Sequence, residues 1–330
     1  MEIEQEMSIF VKSLKEKGLL DQIHMTVCNV GSRKLSSGDD YGAGAWNIFA
    51  PNLTIYGFDA DADACEAAKA DLELKQINWT EKHIPLALGK SVEEATLYVT
   101  KHPMCSSLYP PNEAYTARFN NLPEFCNLDF TIEIETTTLD NFCNSEEINT
   151  IDFLQIDVQG AELQVLEGAL EVLKRGVLGI QVEVEFSHIY INQPLFADID
   201  VFLRGNSFTL FDLETAYRHR VRSPIASTRR RGQLLWGDAY YLQDPIRENA
   251  NFMIKEPSQI LKLACVADVL GFPDYSLELL EHLTVKYGDN PKYNFAQTII
   301  ETLSTFPDLT KSGELYSLPL VANILPFLNI

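Results

Sequence analysis

Short apolar runs that stop at glycine or acidic residues alternate with helix-forming segments, and this alternation constrains the fold more than any other feature of the chain. HMTVCNVGSR ends in a glycine turn and LTIYGFDAD in acidic residues, and ADACEAAKADLELK follows as a helix by propensity. HIPLALG reads as a third strand, TIDFLQIDVQG as a fourth with AELQVLEGALEVLKR as its helix, and VLGIQVEVEF as a fifth. Strands joined by helical crossovers predict a doubly wound, largely parallel α/β sheet with right-handed connections. ATLYVT and FTIEIETTTLDNF read as extended pieces around the loop KHPMCSSLYPPNEAY. FTLFDLE and QLLWGDAYYLQD read as antiparallel neighbours across a long polar loop.

The same patterning divides the chain. Ile9, Phe10, Leu14 and Leu19 stand at near-helical spacing, so residues 1–20 read as a leading amphipathic helix. Residues 21–245 carry the strand and helix alternation, and residues 246–330 turn to helices alone, including PSQILKLACVADVLG and YSLELLEHLTVKYG. That last stretch reads as a helical appendage whose removal would leave ligand binding intact. A chain of 330 residues has room for one enzyme core plus such an extension.

Charge and cysteine usage narrow the partners. A net charge of −21 repels phosphate backbones and anionic membranes, so nucleic acid is a poor partner and membrane insertion is not expected. No apolar run reaches the roughly 20 residues needed to cross a bilayer. The six cysteines lack a C-x-x-C pair, which suggests reduced thiols rather than a zinc site or a disulfide framework. The opening MEIEQEMSIFVKSLKEKGLL has neither the basic start nor the apolar core of a secretory signal, and a cytoplasmic location is expected.

Ligands of a doubly wound sheet lie beyond the carboxyl ends of the strands, where the strand order reverses. Strand one ends in Asn29-Val30-Gly31-Ser32, where Gly31 admits a ligand to the backbone without a side-chain clash. Strand two ends in Asp59-Ala60-Asp61, and an ionised Asp59 at the tip suits a ribose diol. A G-x-G-x-x-G turn is absent, which disfavours a nicotinamide dehydrogenase and leaves a cofactor with an adenosine but no pyrophosphate.

The fourth strand and its turn, IDFLQIDVQGAELQVLEGA, with TTTLDNF upstream and EVEF on the following strand, resemble the FkbM family of S-adenosylmethionine-dependent methyltransferases. ALGKSVEEATLYVTKHPMCSSLYPPN and QPLFADIDVFL share the likeness, which covers about residues 25–245. The resemblance implies a class I methyltransferase fold, S-adenosyl-L-methionine as cofactor, and methyl transfer usually to oxygen, often on saccharides or natural products. Asn29 stands where an acidic residue is more usual, and Gln159 where such sequences often have Glu.

Within this frame Asn29, Gly31, Ser32, Asp59, Ala60 and Asp157 are candidate cofactor contacts, and Ser106 and Ser107 join them from a loop that could act as a lid with His102. Asp157, Glu185 and His188 are the candidate catalytic groups, drawn from strand-end residues that also include Glu162 and Glu183. No metal is assigned, because the spacing matches no compact metal signature. Arg218, Arg220, Arg222, Arg229, Arg230 and Arg231 crowd one loop; if FTLFDLE runs parallel to the core, they lie on the cofactor edge and suit an anionic acceptor. The acceptor is expected to be sugar-like, with a small natural product or an inactive binding module as alternatives, and a homo-oligomer is left open.

Overall fold

The computed structural model describes residues 8–34, 44–247, 254, 256–306 and 315–328. In chain order the strands are β1 Met25–Val30, β2 Leu53–Phe58, β3 Thr80–Ile84, β4 Ala87–Leu88, β5 Glu93–Thr100, β6 Leu128–Thr137, β7 Phe153–Ile156, β8 Gly179–Glu185, β9 Phe208–Arg218 and β10 Gln233–Gln243. The main helices are α1 Phe10–Glu16, α2 Ala62–Lys75, α3 Glu113–Thr116, α4 Leu122–Cys126, α5 Leu139–Ser145, α6 Glu162–Glu167, α7 Leu170–Gly176, α8 Phe196–Gly205, α9 Pro257–Val269, α10 Pro273–Tyr287, α11 Ala296–Ser304 and α12 Pro319–Ile324. Among the described residues no helix is long and apolar enough to cross a membrane.

Seven strands form one sheet in the order β3-β2-β1-β7-β8-β10-β9. The first five of these are mutually parallel, and β10 runs antiparallel to both β8 and β9. The chain therefore winds outward through β1, β2 and β3, then crosses to β7 on the other side of β1, which makes the β1/β7 boundary the topological switch point. β9, two antiparallel steps from β8, points the same way as the core, so the loop that follows it opens on the ligand edge.

Alternating side chains on these strands feed two cores. Met25 and Val27 of β1, Leu53 and Ile55 of β2, and Phe153 of β7 face one way, while Cys28, Val30, Leu154, Ile156, Ile180 and Val182 face the other with the residues of α5 to α8. The first face is covered by α1, α9, α10 and α11. The C-terminal helices are present as expected, but they do more than hang from the sheet: Ile260, Leu261, Leu263, Ala264 and Val266 of α9 are buried in the same core as β1 and β2. Lys262 of α9 pairs with Asp152 at 2.9 Å, at the amino end of β7, and Asp152 also accepts from the Thr26 amide at 2.8 Å. Asp268 accepts from the Val11 amide at 2.8 Å and so fastens α1 to the same layer.

Three local readings shift. The third strand starts earlier than HIPLALG, at Thr80, and Ala87–Leu88 leaves the main sheet to pair with β6 in a second sheet ordered β4-β6-β5. The TLDNF end of the presumed extended segment is helical, because the Thr138 hydroxyl caps α5 by accepting from the Asn141 amide at 3.0 Å. The helix after β7 is broken at Gly168, where an added Cβ would lie 2.1 Å from the Gly89 carbonyl oxygen, so that only glycine admits this close approach of two backbones.

Candidate active site

A cavity of about 600 Å³ opens at the switch point. Its floor is built from the ends of β1, β2 and β7 and contains Gly31, Asp59, Ala60 and Asp157. Gly31 has φ 88°, and its amide donates to the Phe58 carbonyl at 2.9 Å, which fixes the turn beside β2. Asp61 caps α2 by accepting from the Asp63 and Ala64 amides, so its carboxylate is engaged in holding that helix. Asp59 accepts from the Asp61 amide at 2.8 Å and remains on the cavity wall.

Arg33 is a site residue that the strand-end argument missed. Its guanidinium reaches Asp59 at 3.5 Å and Asp61 more closely, and it lines the cavity. The signal was a cation two residues past the glycine turn, legible only once the turn is seen to fold back over β2.

Behind the floor lies a group of enclosed carboxylates. Oxygens of Asp157, Glu162 and Glu183 lie within 4.8 Å of one another, a donor set of the kind that hard cations take. A different donor already stands among them: Gln159 Nε2 donates to Asp157 at 2.8 Å and to Glu183 at 2.6 Å. Glu162 accepts from the Val158 and Gly160 amides, each at 3.0 Å. Burial raises the Asp157 pKa, and hydrogen bonds from Gln159 and Glu183 hold it back. Glu183 is pushed well above the usual carboxylate range, first by burial and then by the charge of Asp157. Burial pushes Glu162 up to about 7, and Glu185 is raised strongly by burial and by Glu162.

The other candidates are spread around this centre. Ser106 and Ser107 line the cavity; the Ser107 hydroxyl donates to the Gln159 carbonyl at 2.6 Å, and Ser106 accepts from the Thr100 amide at 3.3 Å. Glu185 is buried beneath the floor with Oε2 lacking a partner. His188 stands exposed on the loop after β8, its carbonyl accepting from Asn112 at 3.0 Å, and is not part of the cavity wall. Asn29 is buried inside β1, and Ser32 is buried beside Gly57 rather than lining the cavity. His102 lies edge-on to Phe125, away from the floor.

The opposite wall is apolar: Leu97 and Val99 of β5 and Ile132 and Phe130 of β6, paired across the small sheet, face the cavity. The β9–β10 loop rises from the same edge. Arg218 stacks over Trp236 at 4.4 Å and Arg220 over Phe119 at 4.2 Å, whereas Arg222, Arg229, Arg230 and Arg231 are exposed.

A sheet of this order, with a nucleoside-sized cavity at its switch point and a carboxylate at the tip of the second strand, has the architecture of the class I methyltransferase fold. Residues 49–210 match the family described as the methyltransferase FkbM domain. A curated relative, 2-O-methyltransferase NoeI of Sinorhizobium fredii, is 35% identical over 85 residues, which are 25% of this chain and 35% of that one. The chain thus spans about a third of this relative's length, 35%. Among solved structures, methyltransferase FkbM from Methylobacillus flagellatus KT aligns with a TM-score of 0.37 and 12% identity over 66% of this chain and 43% of its own. TrmK of M. capricolum, in complex with S-adenosyl-homocysteine, aligns with a TM-score of 0.35 and 8% identity over 94% and 95%.

Proposed function

We propose that the chain methylates a hydroxyl of a sugar-like, anionic acceptor, with Asp157 taking the proton that the hydroxyl loses. The observation that carries this reading is the convergence of Gly31, Asp59 and Asp157 on one cavity from three strand ends. The cavity suits the cofactor: at its floor only glycine at position 31 lets the β1 turn lie against the Asp157 backbone, and Asp59 offers a carboxylate to a diol. S-adenosylmethionine supplies, when bound, a methyl group made electrophilic by its sulfonium. Gly31 and Asp59 hold it, Asp157 orients the acceptor hydroxyl, and most of the rate comes from that placement. Asp157 is suited to the base role because it lines the cavity and accepts from the Gln159 amide, while burial and the Asp157 charge push Glu183 the further up of the two.

The curated relative is by name a 2-O-methyltransferase, which supports oxygen as the methylated atom. The exposed arginines on the ligand edge support an acceptor bearing carboxylate or phosphate. A second reading, a natural product with an apolar body, is favoured by the wall of Leu97, Val99, Phe130 and Ile132. Transfer of labelled methyl from S-adenosylmethionine into a fractionated extract separates them. Label in an anionic saccharide fraction that disappears with Asp157→Asn is expected; label in an apolar small-molecule fraction supports the second reading, and no label in any fraction contradicts both.

A further inference from the structure

Gln159 is gripped at every polar atom of its side chain. Its amide nitrogen has two N–H groups and two carboxylate acceptors, Asp157 at 2.8 Å and Glu183 at 2.6 Å. Its amide oxygen lies 2.8 Å from the Tyr190 hydroxyl, which can also donate to the Cys105 carbonyl at 2.8 Å. The Ser107 hydroxyl takes the Gln159 main-chain carbonyl at 2.6 Å. These contacts hold a non-glycine residue at φ 59°, a left-handed conformation that surroundings must enforce. Chemistry fixes the direction of the amide, since two carboxylates require its donors and the phenol satisfies its acceptor.

We propose that Gln159 is a positioning residue for methyl transfer: its amide orients Asp157 toward the cavity as a proton acceptor and links that orientation to the loop carrying Cys105 and Ser107 and to Tyr190. This rests on the reading of Asp157 as the base. The groups that act electrostatically on or with Asp157 are Glu162 of α6, Glu183 and Glu185 of β8, Asp238 of β10 and the Cys105 thiol, all of them acidic. Arg218 acts on Cys126, a step further out. Such surroundings drive Asp157 toward binding a proton, and the hydrogen bond from the Gln159 N–H opposes that rise. A glutamate at this place would add one more acid to the group and supply no such donor at neutral pH unless it were itself protonated.

The test is an infrared pH titration of protein labelled with ¹³C in the aspartate carboxyls and saturated with S-adenosylhomocysteine, with Asp157 assigned by the band lost in Asp157→Asn. Gln159→Met keeps the bulk and removes both donors, and the Asp157 midpoint is expected to rise by about one pH unit or more. Tyr190→Phe loosens the amide without removing it and should give a smaller rise in the same direction. An unchanged midpoint in a folded Gln159→Met protein, or in Tyr190→Phe should the first variant not fold, overturns the proposal. Full methyl transfer by Asp157→Asn would instead remove the base reading beneath it.

Discussion

A Cβ placed on Gly31 would lie 1.9 Å from the carbonyl oxygen of Asp157. The ends of β1 and β7 thus touch through backbone alone at the switch point, and the cavity floor depends on the absence of a side chain. Gly31→Ala is strained twice, by that contact and by φ 88°. It should cost about 3 kcal/mol or more in urea unfolding and weaken S-adenosylhomocysteine binding at least about tenfold. Wild-type values in both measurements would mean that the two strand ends are not held as described.

Stability should fall as pH rises across mild acid to neutral. Glu162 is pushed up to about 7 by burial, so the folded state binds a proton that the unfolded state has already released above about 4.5. Where the native state binds more protons, raising the pH destabilises it, and the loss runs between those two values. Thermal unfolding should therefore occur at a lower temperature at pH 8 than at pH 5. Glu162→Gln keeps an oxygen for the Val158 and Gly160 amides and should flatten the decline by an amount on the order of 2 kcal/mol. A parallel pH profile for the variant would contradict the assignment.

Most of the sheet was legible because strand and helix leave different apolar periods in the sequence, and the glycine turn, Asp59 and Asp157 sit where those periods end. What escaped was set by contacts distant in sequence. Arg33 reaches Asp59 across 26 residues, and Gln159 meets Glu183 across 24. Gln159 was visible only as a departure from the family, since no local pattern tells that its amide bridges two carboxylates. His188 looked attractive by proximity to β8, yet the loop after the strand turns it to solvent. The role of the C-terminal helices was hidden for the same reason: their own periodicity shows an apolar face but not what that face covers.

Removing the residues after 245 should strip α9, α10 and α11 from the face of Met25, Val27, Leu53 and Ile55 and leave it only partly covered, by α1 and the Trp46 and Phe49 side chains. Each large apolar side chain is worth about 1.5–3 kcal/mol when buried, so a handful of lost contacts exceeds the margin of a typical fold. The truncated chain should be insoluble or lack cooperative unfolding by circular dichroism. A soluble truncation that still binds S-adenosylhomocysteine would show that the α9–α11 layer is dispensable.

Arg229, Arg230 and Arg231 are exposed on the loop that leaves β9 at the ligand edge, in a chain of net charge −21. Positive charge there concentrates an anionic acceptor and is screened by salt. Changing all three to Gln should raise the acceptor KM about tenfold or more, abolish most of its salt dependence and leave cofactor affinity within about twofold. If acceptor kinetics and their salt response are untouched, the loop has no part in recognition.

The central claim, that the cavity is a cofactor site with the ribose on Asp59, is tested most directly by calorimetric titration of S-adenosylhomocysteine into wild type and Asp59→Ala. Asp59 presents its carboxylate at the strand tip while Asp61 is engaged in capping α2. Loss of charge-assisted hydrogen bonds worth about 1.5–3 kcal/mol each should weaken binding by about tenfold to a hundredfold or more. Tight binding to wild type with that loss in the variant is the predicted result. Equal affinity in the two proteins, or no binding to wild type at all, would contradict the account.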